Sequence, residues 1–401
     1  MSASPVTTKS SLSSAANYLT SQLRQVGIFV ALIVIVIIFQ ILTGGILLQP
    51  DNVSNLVVQN SYVLILAIGM VMIIIAGHID LSVGSIVGFI GAIAGTMAER
   101  WGWPWWAAII ASLAVGAIVG VWQGYWVAYF GIPAFIVTLA GMLIFRGLTQ
   151  VVLGSTQITP FPDPIRALGG GFLPGLGFLF GQLETLTVVI GILIAVVMVV
   201  QALRQRAVRR RYNLESEPFI WFLVKLIFTV GLVLVIAYLL ASNNGIPIVL
   251  VVLGVLVVAY SAMMSRSVFG RHIYAMGGNL NAATLSGVKT KRVTFLLFVN
   301  MGVLASLAGL VFAGRLNLAN PTNGNGFELD AIAAAFIGGA AVTGGIGTVT
   351  GAIIGGLIIG ILNNGMSIIG VGTDYQQFIK GIVLLGAVAF DVYNKRRTGS
   401  R

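Results

Sequence analysis

Few residues in this sequence could do chemistry, and the most informative sit in Gly77-His78-Ile79-Asp80-Leu81-Ser82-Val83-Gly84-Ser85, between two apolar runs. An acid beside hydrocarbon is costly, so Asp80 must be paired, capped or functional. Two readings stand side by side. Asp80 or Ser82 can accept the orphan N–H groups of a helix starting near Val83, where negative charge is also favoured. Alternatively, His78, Asp80 and Ser82 contribute to a solute path, although His78 reads first as a loop residue. Other polar side chains interrupt apolar runs further on: Gln123, Arg146, Asn300, Asn363, Asn364 and Lys380. Neutral donors and acceptors suit a route for polyhydroxylated solutes. Taken singly, each equally suits a hydrogen bond between helices. Arg146 and Lys380 are suited to snorkelling or to pairing with an acid.

A second cluster lies in the basic segment Arg266–Arg292. Gly277, Gly278 and Asn279 predict a turn, after which Asn281 can cap a short helix, Ala282–Ser286, ended by Gly287. A short helix rimmed with basic groups has the shape of an element that docks into a partner's groove. A solvated loop is the other reading.

What is missing narrows the function. There is no G-x-x-x-x-G-K-[ST] and no Gly-Lys dipeptide, so the chain has no phosphate-cradling loop with which to hydrolyse ATP. It also lacks a G-x-S-x-G elbow, an H-E-x-x-H pair and a close pair of carboxylates within the apolar runs. Zero Cys excludes disulfides and thiolate zinc, and His78 and His272 alone make no histidine cage. The sequence predicts neither an enzyme nor a bound cofactor or metal. Transport is the expectation.

The elements that must position these groups are membrane helices. Of 401 residues, 58% are hydrophobic and 8% charged, with mean hydropathy +1.01. A soluble domain carries about a quarter charged residues. Apolar stretches long enough to cross a bilayer are Gly27–Leu48, Leu56–Ala76, Trp105–Tyr129, Ala134–Gly154, Leu183–Ala202, Phe219–Ala241, Ile246–Met264, Val293–Ala313 and Tyr375–Val392. Ser82–Ala98 adds a weaker one. Leu329–Met366 reads as two short helices broken around Thr343-Gly344-Gly345-Ile346-Gly347. The expected fold is an all-α polytopic bundle of about twelve transmembrane helices. The domain reading is a disordered tail over 1–24, one transmembrane domain over 25–394 and a basic tail over 395–401.

The net charge of +11 would suit nucleic acid if it were clustered on a soluble face. With both termini in the cytoplasm, however, twelve spans place most basic residues on the inner side. These include Arg204, Arg206, Arg209, Arg210, Arg211, Arg266, Arg271, Lys289, Lys291 and Arg292. The charge is thus a topology signal, and no nucleic-acid partner is expected. Ser155–Gln182, with Pro160, Pro162, Pro164, Pro174 and Gly169-Gly170-Gly171, reads as an outer loop. Glu328 and Asp330 also fall outside on this count. Glycines four apart (Gly84 and Gly88, Gly91 and Gly95, Gly116, Gly120 and Gly124, Gly351 and Gly355) predict close helix packing.

Gly77–Ser85 resembles the signature of inner-membrane permeases of ribose- and xylose-type ABC sugar importers. Phe269-Gly270-Arg271-His272-Ile273-Tyr274-Ala275-Met276-Gly277-Gly278-Asn279, continuing to Gly287, resembles that family's loop contacting the ATPase. The segment Pro133–Leu143 and the extra length resemble the xylose and multiple-monosaccharide branch. The resemblance implies a ten-helix core plus two extra spans around Leu183–Ala241. It also implies a coupling loop built on Gly270, Arg271, Gly277, Gly278, Asn279, Ala282, Ala283, Thr284 and Gly287. His78, Asp80, Ser82, Gln123, Asn300, Asn363 and Asn364 become candidates for the translocation path. The implied partners are cytoplasmic ABC ATPase subunits, an extracytoplasmic sugar-binding protein, a second permease copy and the lipid membrane. The implied cargo is D-xylose or a related aldose. An ion-coupled secondary transporter is the rival reading, and it would need Asp80 or Lys380 as an essential titratable group.

Overall fold

Runs of Leu, Ile, Val and Ala punctuated by Gly-containing turns give helices in register with the apolar sequence. A computed structural model of the chain describes residues 11–154, 156–179, 182–212 and 218–397. The first helices are α1 (Ser11–Leu42), α2 (Pro50–Ile75) and α3 (Val83–Gly95), the last continuing into a π turn over Thr96–Arg100. α4 (Trp105–Ala128) and α5 (Ala134–Leu153) follow, then the short α6 (Asp163–Gly170). Two-residue strands β1 (Phe178–Leu179) and β2 (Leu183–Glu184) pair antiparallel before α7 (Thr185–Arg211) and α8 (Phe219–Ala241). α9 (Ile248–Arg266), α10 (Val268–Gly278) and α11 (Leu280–Leu285) lead to α12 (Thr290–Leu316). The chain closes with α13 (Phe327–Ile337), α14 (Val349–Ile368) and α15 (Thr373–Arg397).

Among the described residues, eight helices are long and apolar enough to cross a membrane. The remaining stretches differ from the sequence expectation in instructive ways. α3 has 13 residues and α13 only 11, so at 1.5 Å per residue α13 covers about half a hydrocarbon core. Gly326 at φ 79° starts α13, and the glycines from Gly338 onward end it, with Gly339 at φ 88°. The expected break at Thr343–Gly347 is present, widened to 338–348. α1 begins at Ser11, so 11–24 is helix where a tail was expected; Ala15, Ala16, Leu19 and Leu23 carry helical preference back from the apolar run. Residues 1–10 and 398–401 of the two tails lie outside the described residues. Ser155–Gln182 is more than a loop: α6 packs onto α12, with Gly169 against Val311 and Arg315 and Gly314 against Ile165. A bridge between Ile158 and Ala319 ties the same segment to the chain after α12.

The core centres on α2, α3 and α12. α2 is buried over most of its length, and α12 touches α2, α3, α4 and α6. Small residues make this possible. Gly116, Gly120 and Gly124 bring α4 onto α12, where an added methyl would overlap backbone at Gly302, Phe298 or Phe295. Gly351 and Gly355 do the same for α14 on α13 at Gly338 and Ala334. α7 and α8 stand apart, packed mainly on each other, and α8 is largely exposed.

Arg146 and Lys380 both lie beside acids. Lys380 Nζ lies 2.8 Å from Asp330 Oδ1, and Arg146 lies 3.8 Å from Glu328. Glu328 and Asp330 are therefore not outer-loop residues. They are buried in the first turn of α13, where the helix dipole favours acids. Lys380→Met strands Asp330 and is expected to cost about 2–3 kcal/mol, discounted because Lys380 is about a quarter exposed. The double variant Lys380→Met/Asp330→Leu is expected to recover most of that loss. Thermal unfolding of the detergent-purified protein checks both.

Candidate functional site

Two groups of residues carry the functional argument, and both are built by helix ends. The first lies between α2 and α3. α2 stops in a Schellman motif: Gly77 at φ 85° donates to Ile74 O and His78 N donates to Ile73 O. The extended stretch that follows runs between α4 and α5. Asp80 is fully buried, and its Oδ1 accepts Ser82 N at 2.8 Å and Ser82 Oγ at 2.6 Å. This is an Asx turn. Neither Asp80 nor Ser82 caps α3 through its side chain, so the capping expectation is corrected; Asp80 shapes the turn before the helix instead. Gln123 of α4 donates to Ser82 Oγ at 2.7 Å, completing a chain from Asp80 to Gln123. Asp80→Ala removes the shared acceptor and is expected to destabilise the protein by about 1–3 kcal/mol. Asp80→Asn keeps Oδ1 and is expected to cost under half as much in the same melt.

The other path candidates do not join this cluster. His78 faces Phe298 with ring centres 6.1 Å apart. Asn300 Oδ1 accepts the Tyr260 hydroxyl between α9 and α12. Asn363 lies within hydrogen-bonding reach of Asp330. Asn364 exchanges two hydrogen bonds with Asn52, at 2.9 and 3.0 Å, closing α14 on α2. Asp80, Ser82, Gln123 and Asn364 are all buried within the single chain.

The second group is α10–α11 and its seat. Ser267 Oγ accepts Gly270 N and starts α10. Gly277 and Gly278 lie in the last turn of α10, not in a turn of their own. Asn279 ends α10 and its Oδ1 accepts Ala282 N at 2.9 Å, so Asn279, not Asn281, caps α11. The helix consequently starts two residues earlier than expected. Gly287 at φ 84° ends it in a second Schellman motif, with Val288 N bonded to Ala283 O. Ala283 turns inward, while Ala282, Thr284 and Gly287 face outward with Arg271. Leu285 is 90% exposed and Leu280 53% exposed. Two bare leucines beside basic groups form a surface that the sequence reading passed over; their signal was a Leu at each end of a one-and-a-half-turn helix.

α10 is seated on the rest of the bundle by backbone. Gly277 fits against Ile75 O and Gly345 N with no room for a Cβ, and Gly345 N donates to Ile75 O at 2.8 Å. Tyr274 OH donates to Gly347 O at 2.8 Å; burial pushes its phenol pKa up, which keeps it a neutral donor. Thus α10, the end of α2 and the break between α13 and α14 meet at one point.

Residues 52–388 match the family described as the permease component of branched-chain amino acid transport systems. The chain belongs to this permease family. Within it, the chain is 40% identical over 368 residues to the xylose transport system permease protein XylH of Haemophilus influenzae, covering 92% of this chain and 96% of that protein. XylH of Escherichia coli is 40% identical over 92% of this chain and 91% of its own. The ribose import permease protein RbsC of Escherichia coli is 32% identical over 92% of this chain and 93% of its own. No solved structure matches the chain. A permease family and, among the described residues, eight helices long and apolar enough to cross a membrane make this a multi-pass protein of the cell membrane.

Proposed function

We propose that the chain is the transmembrane subunit of an ABC importer that passes a monosaccharide, D-xylose or a related aldose, into the cytoplasm. The observation that carries this is collinear similarity to xylose permeases over nine-tenths of both chains. The basic residues support cytoplasmic termini and twelve crossings, counting α3 and α13 although both are short. On this topology α10–α11 is cytoplasmic and docks in a partner ATPase, since the chain has no nucleotide loop of its own. Gly270, Arg271, Gly277, Gly278, Asn279, Ala282, Ala283, Thr284 and Gly287 shape that contact, with Leu280 and Leu285 as its apolar anchors.

A binding protein loaded with sugar docks at the opposite face, near Ser155–Gln182 and Asn317–Phe327, and a second copy of the permease completes the path. The path itself is assigned to the region of His78, Asp80, Ser82, Gln123, Asn300, Asn363 and Asn364. ATP hydrolysis by the partner, measured in vesicles holding permease and ATPase, is expected to rise several-fold with xylose-loaded binding protein. Stimulation by no loaded aldose-binding protein would contradict the assignment.

A further inference from the structure

We infer that residues 320–326 form a wet wall of the sugar path inside the membrane, with Thr322 and Asn325 as its solute-facing groups. α12 ends at Leu316, and Ala319 then bridges Ile158, which lies beside Gly95 at the end of α3. By Gly324 the chain has returned along α3: Asn323 O packs on Gly88 and Gly324 O on Gly84. That is roughly two to three turns of α3, about 10–16 Å back from its end. On the α5 side, Thr149 Oγ1 flanks the same Gly88, and Arg146 reaches Glu328. The segment therefore sits about one to two turns in from the Leu153 end of the membrane-crossing α5. Gly84 directly follows the Asp80–Ser82 turn, so the wall adjoins the region already assigned to the path.

Non-helical backbone at that depth is tolerated only inside protein or against water. One side of the segment is inside protein and tied down. Asn320 Oδ1 accepts both N and Oγ1 of Thr322 at 2.9 Å, and Asn323 Nδ2 donates to Leu318 O at 3.3 Å. The other side is not covered: Thr322 and Asn325 are exposed, as is Gln150, one turn from Arg146 on the same flank of α5. Arg146 Nε has no hydrogen-bond partner among the described residues. Hydrocarbon against this face would leave every one of these groups unsatisfied, whereas water satisfies them all.

The chemistry of the wall points to a neutral solute. Residues 317–327 hold no Asp, Glu, Lys or Arg, and Arg146 is paired with Glu328. Uncharged donors and acceptors suit the hydroxyls of a sugar rather than an ion. The wet wall follows from the fold; that its solute is a sugar rests on the import reading, with the second copy facing it across the path.

The chain has no cysteine, so single cysteines report on this face without background. Full-length Thr322→Cys, Asn325→Cys and Ile144→Cys, each with ATPase and binding protein in sealed vesicles, are treated with a charged, membrane-impermeant methanethiosulfonate. Ile144 is exposed at the depth of Arg146 on the opposite flank of α5 and is the dry control. The reactive thiolate forms against water and not against hydrocarbon. Thr322→Cys and Asn325→Cys are therefore expected to react at least about tenfold faster than Ile144→Cys. Labelled Asn325→Cys is expected to lose most of its D-xylose uptake, and Ile144→Cys to keep it. Labelling at 322 and 325 as slow as at 144 would overturn the proposal, as would undiminished uptake by fully labelled Asn325→Cys. Absence of uptake by the unsubstituted protein would count against the import reading instead, with the labelling ratio still deciding the wall.

Discussion

Leu285→Asp is expected to abolish ATP-driven uptake while leaving the membrane bundle folded. The side chain is 90% exposed on α11 and contributes nothing to the core, so its removal from an apolar contact falls on the partner alone. A buried apolar anchor at an interface is worth about 2 kcal/mol or more, roughly thirtyfold in ATPase affinity. A charge placed there adds desolvation to the loss. Pull-down of the ATPase and the melting temperature of the permease separate the two effects. An unchanged melt with ATPase binding reduced at least tenfold is the expected pair. Unchanged binding would remove α11 from the coupling surface.

Gly277→Val is expected to act at the other side of the same element. Its Cβ would overlap Ile75 O and Gly345 N, so α10 must lift from the end of α2 and from the 338–348 break. Overpacking of this kind costs about 1–3 kcal/mol. The functional loss should exceed the stability loss: ATPase still binds α11, but hydrolysis no longer drives sugar across. Gly278→Ala is the internal control, because a Cβ there meets nothing within 4 Å and the residue is helical. It is expected to be neutral or slightly stabilising. Equal behaviour of the two variants in uptake and ATPase assays would show that the backbone junction transmits nothing.

These neighbouring glycines show what the sequence could and could not convey. The sequence read both as part of one turn, and only packing separates them. Helix existence was legible because the apolar runs are long; α8 occupies Phe219–Ala241 as read. The break inside Leu329–Met366 was legible from its glycines. The half-length of α13 was not, since Gly326 and Gly338 look like any other glycines until the chain that precedes α13 is seen folded against α3. For the same reason Glu328 and Asp330 read as outer-loop acids, although Asp330 meets Lys380 fifty residues on. The turn around Asp80 was legible as a polar knot, but its partner Gln123 lies on another helix, and no local pattern encodes that pairing. On α11, the choice of Asn281 as cap failed because Asn279 sits at the extended φ of −158° that a cap adopts, a distinction invisible in two asparagines two apart.

The central claim is that ATP in a partner, rather than an ion gradient, drives a monosaccharide through this chain. Sugar uptake into sealed vesicles holding the permease, its ATPase and its binding protein tests it most directly. The comparison is ATP supplied on the ATPase side, no ATP, and ATP with an ionophore that collapses ion gradients. Uptake that requires ATP and survives the ionophore is the predicted result. Uptake by the permease alone that the ionophore abolishes would contradict it.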